Sequence, residues 1–275
     1  MEQAYIIGEV GSCHEGSLDV AKAMIRYVGD QEHTRGHWDN CELADANAVK
    51  FQFWSNGQKL AARRHAPEYA DLYEKFRIPM DWLPLLRKEA KEYGKDFICT
   101  CYLLEDIAVI APYVDRFKIA SPDARDTKFI EAHLKYNKPI LISTGLLTHE
   151  ELMDVIRLRA SYHQIKILHC VSAYPCPAEQ VNLEVIRRYG LDGFSDHTRH
   201  PCMGALAYMA GARIMEAHVR RAQTSPDNPD YPHALYPEVW NAYVANIRIA
   251  ELAHGDTLTC KETQPAEAPL RRFLA

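Results

Sequence analysis

Eight short, nearly continuous apolar segments constrain the fold of this 275-residue chain most strongly. They are Tyr5–Val10, Ala48–Phe53, Asp96–Cys101, Arg116–Ser121, Pro139–Thr144, Ile165–Val171, Asp192–His197 and Arg213–Val219. Strands that are covered on both faces have this pattern, whereas half-exposed strands alternate polar and apolar residues. The segments therefore predict a set of buried parallel strands.

Amphipathic stretches lie between these segments and predict the helices of repeated strand–helix units. They are Ser17–Val28, Met80–Tyr93, Leu103–Pro112, His149–Ala160, Asn182–Tyr189, Pro201–Ala210 and Pro237–His254. Eight such units in a chain of 31.4 kDa predict a single-domain α/β protein, a (β/α)8 TIM barrel. An open doubly wound sheet is the alternative, but Gly8, Gly11 and Gly16 do not form its usual G-x-G-x-x-G loop.

Composition excludes several classes of partner. The net charge of -5 disfavours nucleic acid or an anionic membrane as the main partner, and no apolar run reaches the ~18 residues of a membrane span. The N-terminus shows no basic leader, and the eight cysteines form no compact spacing pattern. These features predict a cytoplasmic protein with reduced thiols.

Two lysines interrupt the apolar segments. Lys50 and Lys118 lie inside predicted strands, where a buried ammonium group is costly unless it is paired. Structural ion pairs with neighbouring carboxylates are one explanation. The other is an anion pocket, since functional groups of TIM barrels gather at the carboxyl ends of strands and hydroxyl residues also occur there.

Two histidines end the last two predicted strands. His197 follows Asp196, and His218 follows Glu216 by two residues. Imidazoles beside carboxylates on successive strands predict half of a divalent metal site, although locally hydrogen-bonded histidines are the alternative. A charged insert, Gly29–Asp45, contains His33, His37 and Cys41 at spacings of four, but its composition favours a loop over a second metal site.

The strand ends together resemble those of the sialic acid synthase family, whose members condense phosphoenolpyruvate with an N-acylated amino sugar. The matching stretches are Ile7–Gly16, Ala48–Gln52, Phe117–Ser121, Ile142–Gly145, Leu168–Pro177, Val181–Leu183, Phe194–Thr198 and Glu216–His218. They follow one another in order over nearly the whole predicted barrel, so the combination is specific.

The resemblance implies roles for individual residues. It implies that His197 and His218 bind a divalent metal ion, Mn²⁺ first, with Zn²⁺, Fe²⁺, Co²⁺ or Mg²⁺ as alternatives. Positions that hold phosphoenolpyruvate are matched by Lys50, Thr100, Lys118, Ser121, Ser143 and Ser195. Positions that face the sugar or the reacting carbons are matched by Glu9, Gln52, Tyr174 and Asp230.

Three positions depart from the family pattern. Asp123 replaces a glutamate of the reacting centre, Ser172 replaces a substrate-binding asparagine, and Cys13 replaces the asparagine before His14. Cys13 is a candidate third metal ligand, since a thiolate favours Zn²⁺ or Fe²⁺. The alternative is that Cys13 is a small packing residue.

The resemblance covers the barrel alone, predicted over residues 1–254. We expect no antifreeze-like C-terminal domain, and we expect the tail Gly255–Ala275 to be a surface appendage. In the family, that domain caps the barrel of the partner subunit and places an arginine against the sugar. Without this contact, the identity of the acceptor is left open. The insert Gly29–Asp45 is a candidate for part of the lid, and a homodimer through the barrel helices is expected.

Three functions are compatible with these residues. The first is metal-dependent condensation of phosphoenolpyruvate with an aldehyde such as N-acetylmannosamine or a related amino sugar, giving a nonulosonic-type 2-keto acid and phosphate. The second is another metal-dependent TIM-barrel lyase or hydrolase. The third is a non-catalytic, ligand-binding descendant of the synthase barrel. Both lysines and the accompanying serines favour the first.

Overall fold

The computed structural model describes residues 3–29, 46–255, 265–267 and 269. Eight parallel strands form a closed barrel in chain order, and β8 pairs with β1 to complete it. The strands are β1 (Tyr5–Glu9), β2 (Ala48–Phe53), β3 (Asp96–Cys101), β4 (Arg116–Ile119), β5 (Ile140–Ser143), β6 (Ile165–Cys170), β7 (Gly193–Asp196) and β8 (Ile214–His218). The predicted TIM barrel is therefore confirmed.

Ten α-helices lie within the described residues and cover the outside of the barrel. They are α1 (Leu18–Gly29), α2 (Gly57–Arg63), α3 (Ala70–Lys75), α4 (Trp82–Glu92), α5 (Asp106–Ile110), α6 (Thr127–Leu134), α7 (His149–Ser161), α8 (Glu184–Tyr189), α9 (Met203–Met209) and α10 (Pro237–His254). Three of them, α2 to α4, lie between β2 and β3. None of the described helices is long and apolar enough to cross a membrane.

The barrel interior has an apolar layer below a polar layer. The apolar layer consists of Ile7, Ala48, Ile98, Leu141, Leu168 and Ile214. Side chains two positions further along a strand point to the same face, so the next inward residue of each strand lies above this layer. On β2 that residue is Lys50 and on β8 it is Glu216, and both are buried. The alternation explains why lysines occur in otherwise apolar segments.

The other face of the strands packs against the helices. Phe51, Phe97 and Phe117 are fully buried there, in the large cluster that joins strands and helices. Gly8 marks a close approach, because a side chain at this position would come 2.9 Å from Val28 of α1. Burial on both faces accounts for the continuous apolar segments of the sequence.

Several predictions concern residues outside this description. His33, His37 and Cys41, for which a loop was predicted rather than a second metal site, lie in the segment 30–45 outside the described residues, as does most of the tail Gly255–Ala275. The proposed lid role of the insert and the surface position of the tail stay predictions.

Candidate active site

A cavity of about 380 Å³ opens at the carboxyl ends of the strands. Eleven of the predicted site residues line it: Lys50, Gln52, Thr100, Lys118, Ser121, Ser143, Tyr174, Ser195, His197, His218 and Asp230. They come from seven strands or the loops after them, at the end of the barrel where TIM-barrel enzymes carry their active sites. The structure therefore gathers most of the predicted residues into one cavity.

One side of the cavity holds a buried cluster of two lysines and two glutamates. The Lys50 Nζ lies 2.7 Å from Oε2 of Glu9 and 3.8 Å from Oε1 of Glu216. The Lys118 Nζ lies 3.6 Å from the same Glu216 oxygen, which also accepts a hydrogen bond of 3.0 Å from the Ser195 hydroxyl. Glu216 is thus shared by both lysines.

These lysines differ in how well their charge is balanced. Burial alone would lower the pKa of Lys50, but Glu216 and Glu9 outweigh it and raise that pKa. Burial lowers the pKa of Lys118, since Glu216 opposes it only in part and Lys50 repels the second ammonium group. Although burial opposes it, the two lysines lower the pKa of Glu216 to about 2. The Lys118 ammonium group is the one that a bound anion would stabilise.

The other side of the cavity holds three histidines and one carboxylate. The ring centroids of His218 and His233 are 4.5 Å apart, and that of His197 lies 5.5 Å from His218 and 6.1 Å from His233. Asp230 lies between two of them, with its oxygens 3.5 Å from Nδ1 of His218 and 3.5 Å from Nε2 of His233. His218, Asp230 and His233 each offer a ligand atom within 4.8 Å of the others.

The backbone around the cluster fixes its side chains. The Ser12 N–H donates to Oδ2 of Asp230 at 2.7 Å. Gly11, at φ +51°, allows this approach, because a Cβ there would lie 2.0 Å from the same oxygen. Nδ1 of His197 lies 3.0 Å from the Val171 carbonyl oxygen, which can only accept. Nδ1 therefore carries the proton, and Nε2 is left for a ligand.

Two members of this cluster, Asp230 and His233, have pKa shifts that suit a metal ion. Although burial opposes it, the neighbouring His218 lowers the pKa of Asp230 well below its usual range. Burial and the proximity of His218 lower the pKa of His233 to about 3. Within the described residues, Nδ1 of His218 and both ring nitrogens of His233 have no hydrogen-bond partner. A carboxylate and a neutral imidazole are donors that divalent ions bind, so Asp230 and His233 fit one. Although burial opposes it, the neighbouring Cys170 raises the pKa of His197, so that imidazole would release a proton when it binds a metal ion.

Two predicted residues lie behind the cavity wall. Glu9 is fully buried and contacts the cavity through its partners, since it pairs with Lys50 and accepts a hydrogen bond of 2.7 Å from Gln52. The hydroxyl oxygen of Ser172 is buried beside Gly145, and it has no hydrogen-bond partner within the described residues. Glu9 therefore supports two lining residues, Lys50 and Gln52, whereas Ser172 does not line the cavity.

Cys13 does not reach the cavity. Its side chain is fully buried in the apolar core, with Sγ 3.8 Å from Oδ1 of Asn228. Burial raises the pKa of this thiol far above its usual value, which opposes the thiolate that a metal ligand requires. The geometry corresponds to a packing residue and does not support Cys13 as a third ligand.

Asp123 points away from the lysine cluster. Its carboxylate lies 2.9 Å from Nη2 of Arg63, and Arg64 donates to it from both terminal nitrogens, one of them at 3.0 Å. These groups line a neighbouring cavity of about 450 Å³ that shares Ser121 with the first. The physical reason is that the turn after β4 directs this short side chain towards the end of α2. The geometry gives no support to a catalytic role for Asp123.

Seven lining residues had no predicted role, and three of them, Glu216, Tyr102 and His233, bear on the chemistry of the site. Glu216 stands at the end of β8, but its pairing with both lysines depends on barrel closure. Tyr102 donates a hydrogen bond of 2.9 Å to Gln52. His233 comes from the loop after β8, and its only sequence signal is the spacing of three residues from Asp230.

Comparison with known proteins points to one family. A model of the NeuB family matches residues 39–259. The chain is 30% identical to the spore coat polysaccharide biosynthesis protein SpsE of Bacillus subtilis, over 94% of this chain and 71% of that protein. It is 26% identical to the N-acetylneuraminate-9-phosphate synthase of Homo sapiens, over 96% of this chain and 74% of that one.

Solved structures agree at the level of the fold. The chain superposes on an N-acetylneuraminic acid synthetase from Leptospira borgpetersenii with a TM-score of 0.82 at 23% identity, over 98% of this chain and 91% of that one. The SpsE structure of Bacillus subtilis gives a TM-score of 0.76 at 26% identity, over 98% and 77% of the two chains. The family model matches most of this chain, and the chain therefore belongs to the NeuB family.

Proposed function

We propose that this protein condenses phosphoenolpyruvate with the aldehyde group of an amino sugar, such as N-acetylmannosamine or a relative. The products are a nonulosonic-type 2-keto acid and phosphate. The observation that carries the proposal is one cavity in which two buried lysines face a histidine–carboxylate cluster. Membership of a family that contains synthases of such acids supports the same reaction class.

The lysine side of the cavity suits phosphoenolpyruvate. This substrate carries a phosphate and a carboxylate on neighbouring carbon atoms, and Lys118 is a buried cation whose charge is only partly balanced. Hydroxyl donors surround it. Ser121 accepts a hydrogen bond of 3.1 Å from the Gly145 N–H, so its own proton is left to donate, and the buried Ser143 hydroxyl has no partner within the described residues. Charge-assisted hydrogen bonds of this kind hold phosphate groups.

The histidine side suits a divalent metal ion. His197, His218 and Asp230 would hold it, because they offer an imidazole nitrogen fixed by Val171, an unpartnered imidazole nitrogen and an ionised carboxylate. Such an ion, when bound, polarises a carbonyl group as a Lewis acid. Gln52 and Tyr174 line the same cavity and would orient the hydroxyl groups of the acceptor.

The bond changes of the proposed condensation indicate an electrostatic role for Glu216. The alkene carbon of phosphoenolpyruvate attacks the aldehyde carbon, whose oxygen becomes a hydroxyl group after taking up a proton. Positive charge develops at C2, water adds there and loses a proton, and the tetrahedral product expels phosphate. Glu216, whose pKa is lowered to about 2, is a poor proton acceptor but a permanent negative charge. It would stabilise the C2 cation electrostatically.

Phosphate release from phosphoenolpyruvate tests this proposal, with a panel of amino-sugar aldehydes and with or without divalent metal ions. Lys118→Met should weaken phosphoenolpyruvate binding about 10- to 100-fold, the loss expected for one buried charged hydrogen-bond donor. Lys166→Met is the matched control, because Lys166 lies at the opposite end of the barrel and pairs with Asp192 at 3.3 Å. A wild-type protein that neither binds phosphoenolpyruvate nor releases phosphate with any acceptor would contradict the proposal.

A further inference from the structure

We propose that His233 is a metal ligand of this chain, completing a centre of three imidazoles and one carboxylate with His197, His218 and Asp230. The inference rests on the metal ion of the proposed function and adds a ligand to it. Three nitrogen donors favour Co²⁺, Zn²⁺ or Fe²⁺, whereas oxygen-rich sites favour Mn²⁺ or Mg²⁺. The extra imidazole would therefore move the preference of the site away from Mn²⁺, the ion that the resemblance predicts.

The bonding state of His233 is the first observation. The residue is 5% exposed, and neither ring nitrogen has a hydrogen-bond partner within the described residues. Its nearest ionic neighbour, Oδ1 of Asp230, is 3.5 Å from Nε2, which is longer than an ordinary hydrogen bond. Buried polar groups are almost always satisfied, so an orphaned imidazole inside a polar cavity indicates a missing partner.

The spacing of the rings is the second observation. A metal ion bound to a ring nitrogen lies roughly 3.2 Å from the ring centre, so two rings on opposite sides of one ion are separated by at most about 6.4 Å. The three centroid distances of 4.5, 5.5 and 6.1 Å meet this limit. The ligand atoms of His218, Asp230 and His233 already lie within 4.8 Å of one another. One ion can therefore contact His218, Asp230 and His233 after small rotations, and the ring of His197, which lies outside this group, would have to turn towards it.

The backbone holds His233 in this position. The N–H groups of His233 and Ala234 both donate to the Asp230 carbonyl, at 3.2 and 2.8 Å, which forms a turn between the two candidate ligands. The Leu235 N–H then donates to the His218 carbonyl at 2.7 Å, so the loop is attached to β8, the strand that carries the candidate ligand His218. Ligands fixed in this way lose little conformational freedom on metal binding.

A role in acceptor binding is the competing explanation. His233 packs edge-on against Tyr174, with ring centroids 4.9 Å apart, and could instead donate a hydrogen bond to an acceptor hydroxyl. In that case its replacement would raise the KM for the acceptor and leave metal affinity unchanged. Metal binding in the absence of any substrate therefore separates the two roles.

Metal titration of the chelator-treated protein is the experiment. Co²⁺ binding would be followed by its visible absorption, and Zn²⁺ and Mn²⁺ affinities by competition, in wild type, His233→Ala and His233→Gln. Both variants should lose at least about tenfold in Co²⁺ affinity and change the Co²⁺ spectrum, and the ratio of Zn²⁺ to Mn²⁺ affinity should fall. His149→Ala is the control, because His149 lies on α7 and contacts Tyr189 outside the cavity.

The outcomes separate the two proposals. Unchanged affinity and spectrum in folded His233 variants would overturn the role of His233 and leave the metal-dependent function intact. Wild type that binds phosphoenolpyruvate but no divalent ion would overturn both the ligand and the metal part of the proposed function. The Gln variant keeps a polar side chain of similar length, so it provides a folded protein if His233→Ala is too unstable.

Discussion

One carboxylate, Glu216, contributes to the charge balance of two buried lysines. Its Oε1 faces Lys50, Lys118 and the Ser195 hydroxyl, while Oε2 has no hydrogen-bond partner within the described residues. Glu9 also pairs with Lys50 at 2.7 Å, so Lys50 has two counter-charges whereas Lys118 depends mainly on Glu216. The second oxygen is therefore a buried acceptor that still lacks a donor in the described part of the chain.

Glu216→Gln should therefore separate binding from turnover. The substitution removes the negative charge that competes with an anion for Lys118, so phosphoenolpyruvate should bind as tightly as in wild type or more tightly. The loss of electrostatic stabilisation at C2 should lower kcat by about 10²- to 10³-fold. Calorimetric binding and steady-state phosphate release measure the two effects.

The matched control for this residue is Glu184→Gln, since Glu184 pairs with Arg187 on exposed α8. Glu184→Gln should change neither the affinity for phosphoenolpyruvate nor kcat. Weaker phosphoenolpyruvate binding with an unchanged kcat in Glu216→Gln would mean that the carboxylate only organises the lysines.

Helix α2 and the turn after β4 are joined by ion pairs of Asp123 with Arg63 and Arg64. Asp123 is 2% exposed, whereas both arginines are partly exposed. Asp123→Asn should lower the free energy of unfolding by about 2 kcal/mol, after allowance for solvent screening of the arginines, and leave phosphoenolpyruvate binding unchanged. Urea unfolding and calorimetry test the two parts.

Asp126→Asn is the control for this pair of elements. Asp126 lies 3.3 Å from Arg63, and its side chain caps α6 through the Phe129 N–H, a role that asparagine also fills. Asp126→Asn should lower the free energy of unfolding by less than about 1 kcal/mol. Wild-type stability of Asp123→Asn, together with intact binding and lost turnover, would restore the catalytic role that the sequence predicts.

The strands of this protein were easier to predict from the sequence pattern than its short helices. All eight strands were predicted to within two residues at each end, because burial on both faces leaves an apolar segment. Helices α2, α3 and α6 were not predicted. Helix α6 was missed although α5, α8 and α9, which are shorter, were predicted. Helices α2 and α3 precede α4 between the same two strands, where a repeating strand–helix pattern accounts for one helix only. Tertiary contacts stabilise this region instead, as in the cluster of Trp54, Leu60 and Phe76 beside α2 and α3.

Closure of the barrel explains which site residues were predictable. Strand order and parallel direction bring Lys50, Lys118, His197 and His218 to one end, so their position in the sequence suffices to group them. Loop residues lack this constraint. The position of His233 depends on a turn anchored to β8, and the orientation of Asp123 depends on α2, so neither was predictable from spacing.

The molecule as a whole should lose stability in mild acid through buried histidines. Burial lowers the pKa of His14 and of His133 to about 4, below the usual value near 6.5. As the pH falls, the histidines of the unfolded chain take up protons before the buried ones do. The contribution of the neutral buried histidines to the free energy of unfolding is therefore fully present above pH 6.5 and falls as the pH drops towards 4. Each histidine should reduce the free energy of unfolding by about 2 kcal/mol between pH 7.5 and 5.0.

His133→Gln should remove its share of this acid sensitivity. Nδ1 of His133 lies 2.7 Å from the Phe129 carbonyl, and glutamine can donate to it without titrating. Urea unfolding at pH 7.5 and 5.0 should show a difference smaller by about 2 kcal/mol than in wild type, even if the variant is less stable at both values. His149→Gln on the surface of α7 should keep the full difference. Equal differences in wild type and His133→Gln would show that His133 takes up its proton without unfolding the chain.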